Sequence, residues 1–319
     1  MNMNTNSIQT GVKTRICMIS DTHAYTPSAP HDRTTPYRHP LPAADVLLHA
    51  GDITTTGRRE EHRRMADLLR AADAELKIVI AGNHDVTLDE ACADAAEIRQ
   101  LWAGAEARRA GIVYMDEGLR SFRLANGAQF TLYASPYTPE RDDGDEGENK
   151  HRRWAFAYKR HLDRFNPSSP VAPVQAANPV PDYPAVDIML THGPPHGVLD
   201  RVLDRDHNDR SIGCEHLWRA CIRARPRLHV FGHVHEASGA GRLDWAARTS
   251  ARVPTDPEDI LDKRCVYYDV SSDGREPLRV GEETLFVNAS IVSRENLPRN
   301  APWVVDMDLP PAEPGLAVA

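Results

Sequence analysis

Leu228-His229-Val230-Phe231-Gly232-His233-Val234-His235 is a short, mostly apolar run that stops in two histidines one residue apart. A run of that length bounded by glycine reads as a buried strand, and its end carries metal-ligand side chains. Four other runs follow the same pattern. Residues 15–20 lead into Asp21-Thr22-His23, residues 45–50 into Gly51-Asp52, residues 77–81 into Gly82-Asn83-His84-Asp85, and residues 187–190 into Thr191-His192-Gly193. Any one cluster is as readily a cap or a satisfied polar group. All five at strand ends make one site, because open α/β sheets gather ligands outside the carboxyl ends of their strands. Two aspartates, an asparagine and four or five histidines are enough for two metal ions. Carboxylate, amide oxygen and imidazole without thiolate suit hard-to-borderline divalent metals.

Between the early strands lie helical patterns at 58–74, with Met65, Leu68 and Leu69 on one side, and at 87–103, opening on the cap-like Thr87-Leu88-Asp89-Glu90. A third helix is expected at 215–225. Strand–helix alternation predicts βαβ units. Strands are expected at 111–114, 120–124 and 130–134, then at 264–269, 284–288 and 303–307. Four stretches read as loops or insertions: 26–42, 140–150, 166–184 and 237–263. The reading is a single domain over 14–310, with insertions near 26–42 and 237–263, a flexible N-terminus over 1–13 and a flexible tail over 311–319. No internal repeat is present, and oligomeric state leaves no signal.

Charged residues make up 26% and hydrophobic residues 41%, a balance suited to a globular domain. No uncharged apolar stretch is long enough for a membrane span, and residues 1–14 lack the apolar core of a signal peptide, so the cytoplasm is the expected compartment. The five cysteines, Cys17, Cys92, Cys214, Cys221 and Cys265, form no Cys-x-x-Cys pair and read as reduced, buried thiols. The sequon Asn288-Ala289-Ser290 reads as chance. Net charge is 38 minus 46, or -8, which disfavours long nucleic acid and leaves a small phosphorylated ligand possible where metals supply local positive charge.

The order Asp21-x-His23, Gly51-Asp52, Gly82-Asn83-His84-Asp85, His192 and Gly232-His233-x-His235 resembles the calcineurin-like metallophosphoesterase superfamily. Flanking blocks, among them Ser135-Pro136-Tyr137-Thr138-Pro139, Trp154-Ala155-Phe156 and Thr191-His192-Gly193-Pro194-Pro195, are similar to its metallophosphoesterase-domain (MPPED) group. The resemblance implies an α/β fold of two β-sheets packed face to face with helices outside, and a dinuclear metal centre at the strand ends. It implies one metal on Asp21, His23, Asp52 and His235, and a second on Asp52, Asn83, His192 and His233, with Asp52 bridging. His84 would bind no metal and would serve as acid or electrostatic stabiliser; an outer-shell orienting role is its alternative. Manganese heads the metals expected, with iron, zinc, magnesium, cobalt or nickel also compatible.

The chemistry fits the residues. Two metals about 3.5–4 Å apart clamp the oxygens of a phosphodiester and turn a shared water into hydroxide, while the leaving alkoxide needs a proton. The expected activity is therefore hydrolysis of small phosphodiesters, with cyclic nucleotides the leading candidates. A phosphomonoesterase on nucleotides or phosphoproteins, and a nucleotide-binding regulator with weak turnover, are the alternatives. The 26–42 and 237–263 stretches follow ligand motifs and are expected to overhang the site. Arg33, Arg38 and His39 are more readily solvated than phosphate contacts. Trp154 and Phe156 are weighed between stacking on a base and filling the core, with the core favoured.

Overall fold

The computed structural model describes residues 11–140, 154–167, 176–203 and 209–313. In chain order these form β1 (Val12–Ile19), β2 (Ala44–Ala50), α1 (Arg59–Ala71), β3 (Ala74–Ile80), α2 (Ala95–Ala103), α3 (Ala105–Arg109), β4 (Ile112–Tyr114), β5 (Gly118–Arg123) and β6 (Gln129–Ser135). Two short strands, β7 (Thr138–Pro139) and β8 (Ala157–Tyr158), precede β9 (Ile188–Thr191), β10 (Arg201–Leu203), β11 (Asp209–Ser211), α4 (Glu215–Ala224) and β12 (Leu228–Phe231). The chain closes with β13 (Gly239–Asp244), β14 (Thr249–Arg252), α5 (Pro257–Lys263), β15 (Val266–Asp269), β16 (Glu283–Asn288) and β17 (Trp303–Leu309).

Two sheets carry the fold. One runs β15-β17-β1-β2-β3-β4 and the other β14-β13-β16-β12-β9-β6-β5. The β1–β2–β3 pairs are parallel, as are β6–β9, β9–β12 and β12–β16. These strands are buried on both faces, which is why they read as continuous apolar runs rather than alternating ones. Ile16, Met18, Leu48, Ile80, Leu132, Leu190, Val230 and Val287 interlock between the sheets. Outside the first sheet, Met65, Leu69 and Trp102 of α1 and α2 cover Cys17, Leu47 and Val79. Outside the second, Leu217 and Cys221 of α4 cover Met189, Phe231 and Phe286. The architecture is the expected sandwich of two sheets between helices.

The sheets meet at one edge. Ser20, just past β1, accepts a hydrogen bond from Ile291 N and donates its own N–H to Ala289 O, just past β16. That seam brings the carboxyl ends of β1, β2 and β3 against those of β9 and β12.

Several elements differ from the sequence expectations. Helix α2 begins at Ala95 rather than near 87. Thr87 caps no helix: its Oγ1 donates to Gly57 O, and Asp89 accepts from Phe156 N. The 237–263 stretch is not an irregular loop. Its first part is β13, paired along its length with β16, and the rest is β14 and α5. Val12 and Lys13 belong to β1, opposite Leu309 and Asp308. Residues 1–10, 141–150, 168–175 and 314–319, within stretches read as terminus, loop or tail, lie outside the described residues. All five cysteines are free, four of them buried and Cys92 half-buried. Asn288 of the sequon is buried and donates to Val234 O, in keeping with chance. Among the described residues no helix is long and apolar enough to cross a membrane.

Candidate metal centre

Four of the seven ligand-type side chains leave their strands through turns that the local sequence permits only at some cost. Asp21, His23, Asp52 and His233 all adopt positive φ, at 51°, 44°, 50° and 67°. Non-glycine residues avoid that region, and its concentration here is backbone strain held by the surrounding structure. The glycines of the motifs are there for space. A Cβ on Gly51 (φ 93°) would lie 2.6 Å from Ala81 O and 2.7 Å from His192 Nδ1. At Gly232 it would strike the carboxylate of Asp21 and the hydroxyl of Ser20. The loops after β2 and β3 are pinned together by Asp85, which accepts from Ile53 N, Thr54 N, Thr54 Oγ1 and Gly82 N at 2.6–3.1 Å.

The side chains converge in two adjoining groups. Ligand atoms of Asp21, His23, Asp52 and His235 lie within 4.8 Å of one another, and so do those of Asp52, His192 and His233. Asn83 joins the second group, its Oδ1 2.9 Å from His192 Nε2 and 2.7 Å from His233 Nδ1. Asp52 belongs to both: Oδ2 lies 3.8 Å from His23 Nε2, and Oδ1 lies 3.4 Å from His192 Nε2. All seven residues assigned to metals from the sequence are therefore brought together.

The outer nitrogens of three imidazoles are already engaged. His192 Nδ1 donates to Ala50 O at 2.9 Å, His235 Nδ1 to Asn296 Oδ1 at 3.1 Å, and His84 Nδ1 to Thr55 O at 2.9 Å. This partnering fixes the tautomer and turns Nε2 inward, as around histidines that ligate metal. His192 Nε2 then faces the oxygens of Asn83 and Asp52 at 2.9 and 3.4 Å, acceptors that a proton on Nε2 or a cation between the three groups satisfies.

The electrostatics agree. Burial opposes charge on Asp21, but His235 outweighs it and holds the carboxyl down at about 2. Burial likewise opposes charge on Asp52, and His192 pulls its pKa well below the ordinary value. In the second group burial would discharge His192, yet Asp52 and Asp21 raise it to about 9, while burial and His192 together push His233 down to about 3. The pocket favours positive charge at one point and refuses it at the next. Two buried carboxylates need compensating cations, since an uncompensated buried charge is expensive. The donor set fits divalent metal.

His84 lies beside the first group, its Nε2 4.0 Å from Asp52 Oδ2 and its ring 4.6 Å from that of His23. The two aromatic candidates separate. Phe156 is core, packed edge-on to Tyr137, whereas Trp154 is 38% exposed with its ring 4.6 Å from that of His84. Arg33, Arg38 and His39 bond elsewhere: Arg33 pairs with Asp262, buried Arg38 donates to Thr35 O and Leu261 O, and His39 O accepts from Arg264. The 26–42 stretch thus packs on α5, and the two stretches hold one another. Sequence reading gave no role to Asp85, although it is contiguous with the Asn83-His84 motif. It missed Asn296, which no local signal marks.

Comparison with known proteins agrees with this geometry. The human and mouse proteins named Metallophosphoesterase domain-containing protein 1 are each 29% identical to this chain over 311 residues, covering 93% of it and 72% of theirs. The Probable rhamnogalacturonate lyase C of Emericella nidulans is 28% identical over 293 residues, 87% of this chain but 23% of that protein, so the likeness is to a portion of it. The model of the calcineurin-like phosphoesterase family, phosphoric ester hydrolases that normally bind divalent metals, matches residues 14–237. That span takes in every residue of the two ligand groups, and the chain belongs to the calcineurin-like phosphoesterase family.

Proposed function

We propose that the protein is a dinuclear metal-dependent phosphodiesterase acting on small phosphate esters, with cyclic nucleotides first among substrates and manganese first among metals. The observation that carries the reading is the position of Asp52, whose two oxygens face two separate donor groups. Asp21, His23, Asp52 and His235 would hold one ion, and Asp52, Asn83, His192 and His233 the other. Bound there, two divalent cations supply Lewis acidity and charge neutralisation.

The chain's residues set the charge balance. The proposed ligands bring only two negative charges, because Asn83 and the histidines ligate as neutral groups. Against two divalent ions this leaves a net positive site for an anionic phosphate. Thr55 holds His84 with Nε2 inward. As water's oxygen bonds to phosphorus and the bond to the leaving oxygen breaks, a proton on His84 Nε2 passes to that oxygen and the proton released by the water restores His84, giving a monoester and an alcohol.

The test is metal reconstitution. Chelator-stripped protein is reloaded with manganese, iron, zinc, magnesium, cobalt or nickel and assayed on an aryl phosphodiester, an aryl phosphomonoester and cyclic nucleotides. Diester cleavage faster than monoester cleavage supports the reading. Faster monoester cleavage makes the protein a phosphomonoesterase, and a fully loaded protein that cleaves neither overturns the enzymatic reading.

A further inference from the structure

We infer that Trp154 determines specificity, its indole forming an aromatic wall that holds a planar group of the substrate, aryl or nucleobase, on the His84 side of the phosphate. The inference rests on the phosphoesterase reading. His84 neighbours both the donor groups and Trp154: its Nε2 is 4.0 Å from Asp52, and its ring is 4.6 Å from the indole, inclined at 61°. A substituent on the oxygen that takes up the His84 proton is therefore within reach of the indole.

The wall is set rigidly. Ala155 N donates to Asn83 O at 3.0 Å, so the segment is tied to the loop bearing a proposed ligand. Phe156 is buried, holds φ at 53°, and donates its N–H to Asp89 at 3.2 Å. Next, β8 pairs with β7. Fixing the residues that follow Trp154 on three sides leaves a large aromatic 38% exposed beside the site, where water exchange for a flat apolar surface is favourable. An indole carried on a backbone tied down in this way binds planar groups at reduced ordering cost.

The experiment measures binding of phenyl phosphate and methyl phosphate to metal-loaded protein by calorimetry, in the native chain, W154A and W154F. The native chain should prefer phenyl phosphate by roughly 5- to 100-fold, the range of one aromatic stack. W154A should lose that preference while keeping its affinity for methyl phosphate, and W154F should keep most of the preference. The KM for an aryl diester should rise in W154A by a similar factor with kcat within a few-fold. Equal loss for both ligands, or a preference that survives W154A, overturns the wall and leaves the phosphoesterase reading intact. A native chain that binds neither ligand and cleaves no ester overturns both.

Discussion

The Nε2 atoms of His23 and His235 face one another at 3.2 Å although 212 positions separate them in the chain. His235 reaches this pose because Asn296 accepts from its Nδ1, leaving Nε2 directed at His23 and at Asp21, 3.5 Å away. Asn296 sits at φ 55°, so glycine can replace it without moving the backbone. Asn296→Gly should weaken one of two divalent ions by about 10- to 100-fold and leave the other at its original affinity. Titration of metal into stripped protein reads this directly. Two equal shifts, or none, would remove Asn296 from the support of His235.

Arg38 tests how the 26–42 stretch serves the molecule. Its side chain is buried and donates to Thr35 O at 3.0 Å and to Leu261 O in α5, a structural tie rather than a phosphate clamp. Arg38→Met should cost about 1–3 kcal/mol of stability by leaving those carbonyls unpaired. It should leave the KM for a phosphate ester within about twofold, since buried hydrogen bonds far from substrate act on stability. A large rise in KM with unchanged melting temperature would return Arg38 to the site.

What could be read from the sequence follows from which interactions are local. The strands that end in ligands announce themselves because they are buried on both faces, and Asp21, Asp52, His192 and His235 follow within a few residues of their ends. Strand β13 gives no such sign: Gly239-Ala240-Gly241 has little strand propensity, and its place is set by pairing with β16. Helix α5 carries an ordinary start that the loop reading of 237–263 passed over, because mixed charge surrounds it: Asp256 accepts from Glu258 N and Pro257 takes the first turn. In the 87–94 stretch a plausible cap lost to tertiary demand, with Thr87 and Asp89 spent on Gly57 and Phe156. Asn296 could not be read at all, because its partner lies 61 residues away and no local motif ties the two together.

Glu283 gives a pH dependence away from the candidate metal centre. It accepts from Arg279 N and pairs with Arg279 and Arg242 beside β13. Burial opposes its charge, but the two guanidiniums hold its carboxyl down at about 2. A depressed native pKa adds stability that is present above the unfolded value of about 4.3 and is lost as pH falls toward about 2. Glu283→Gln should therefore cost about 1.5–3 kcal/mol at pH 7 and visibly less at pH 3. Urea unfolding at the two pH values checks it, and a gap of equal size at both would mean the pair contributes nothing through charge.

His84 is the residue whose role divides two chemistries. Thr55 O fixes its Nδ1, and its Nε2 stands near Asp52 without joining either donor group. If Nε2 carries the proton that the leaving oxygen takes up, its removal matters in proportion to that oxygen's basicity. His84→Ala should lower kcat by about 10²–10⁴-fold on diesters with alkyl leaving groups. On p-nitrophenyl esters the loss should be much smaller, because that leaving group departs as an anion unaided. Metal content should stay at the native level. A loss of the same size for both leaving groups, together with reduced metal content, would instead make His84 a support for the ligand shell.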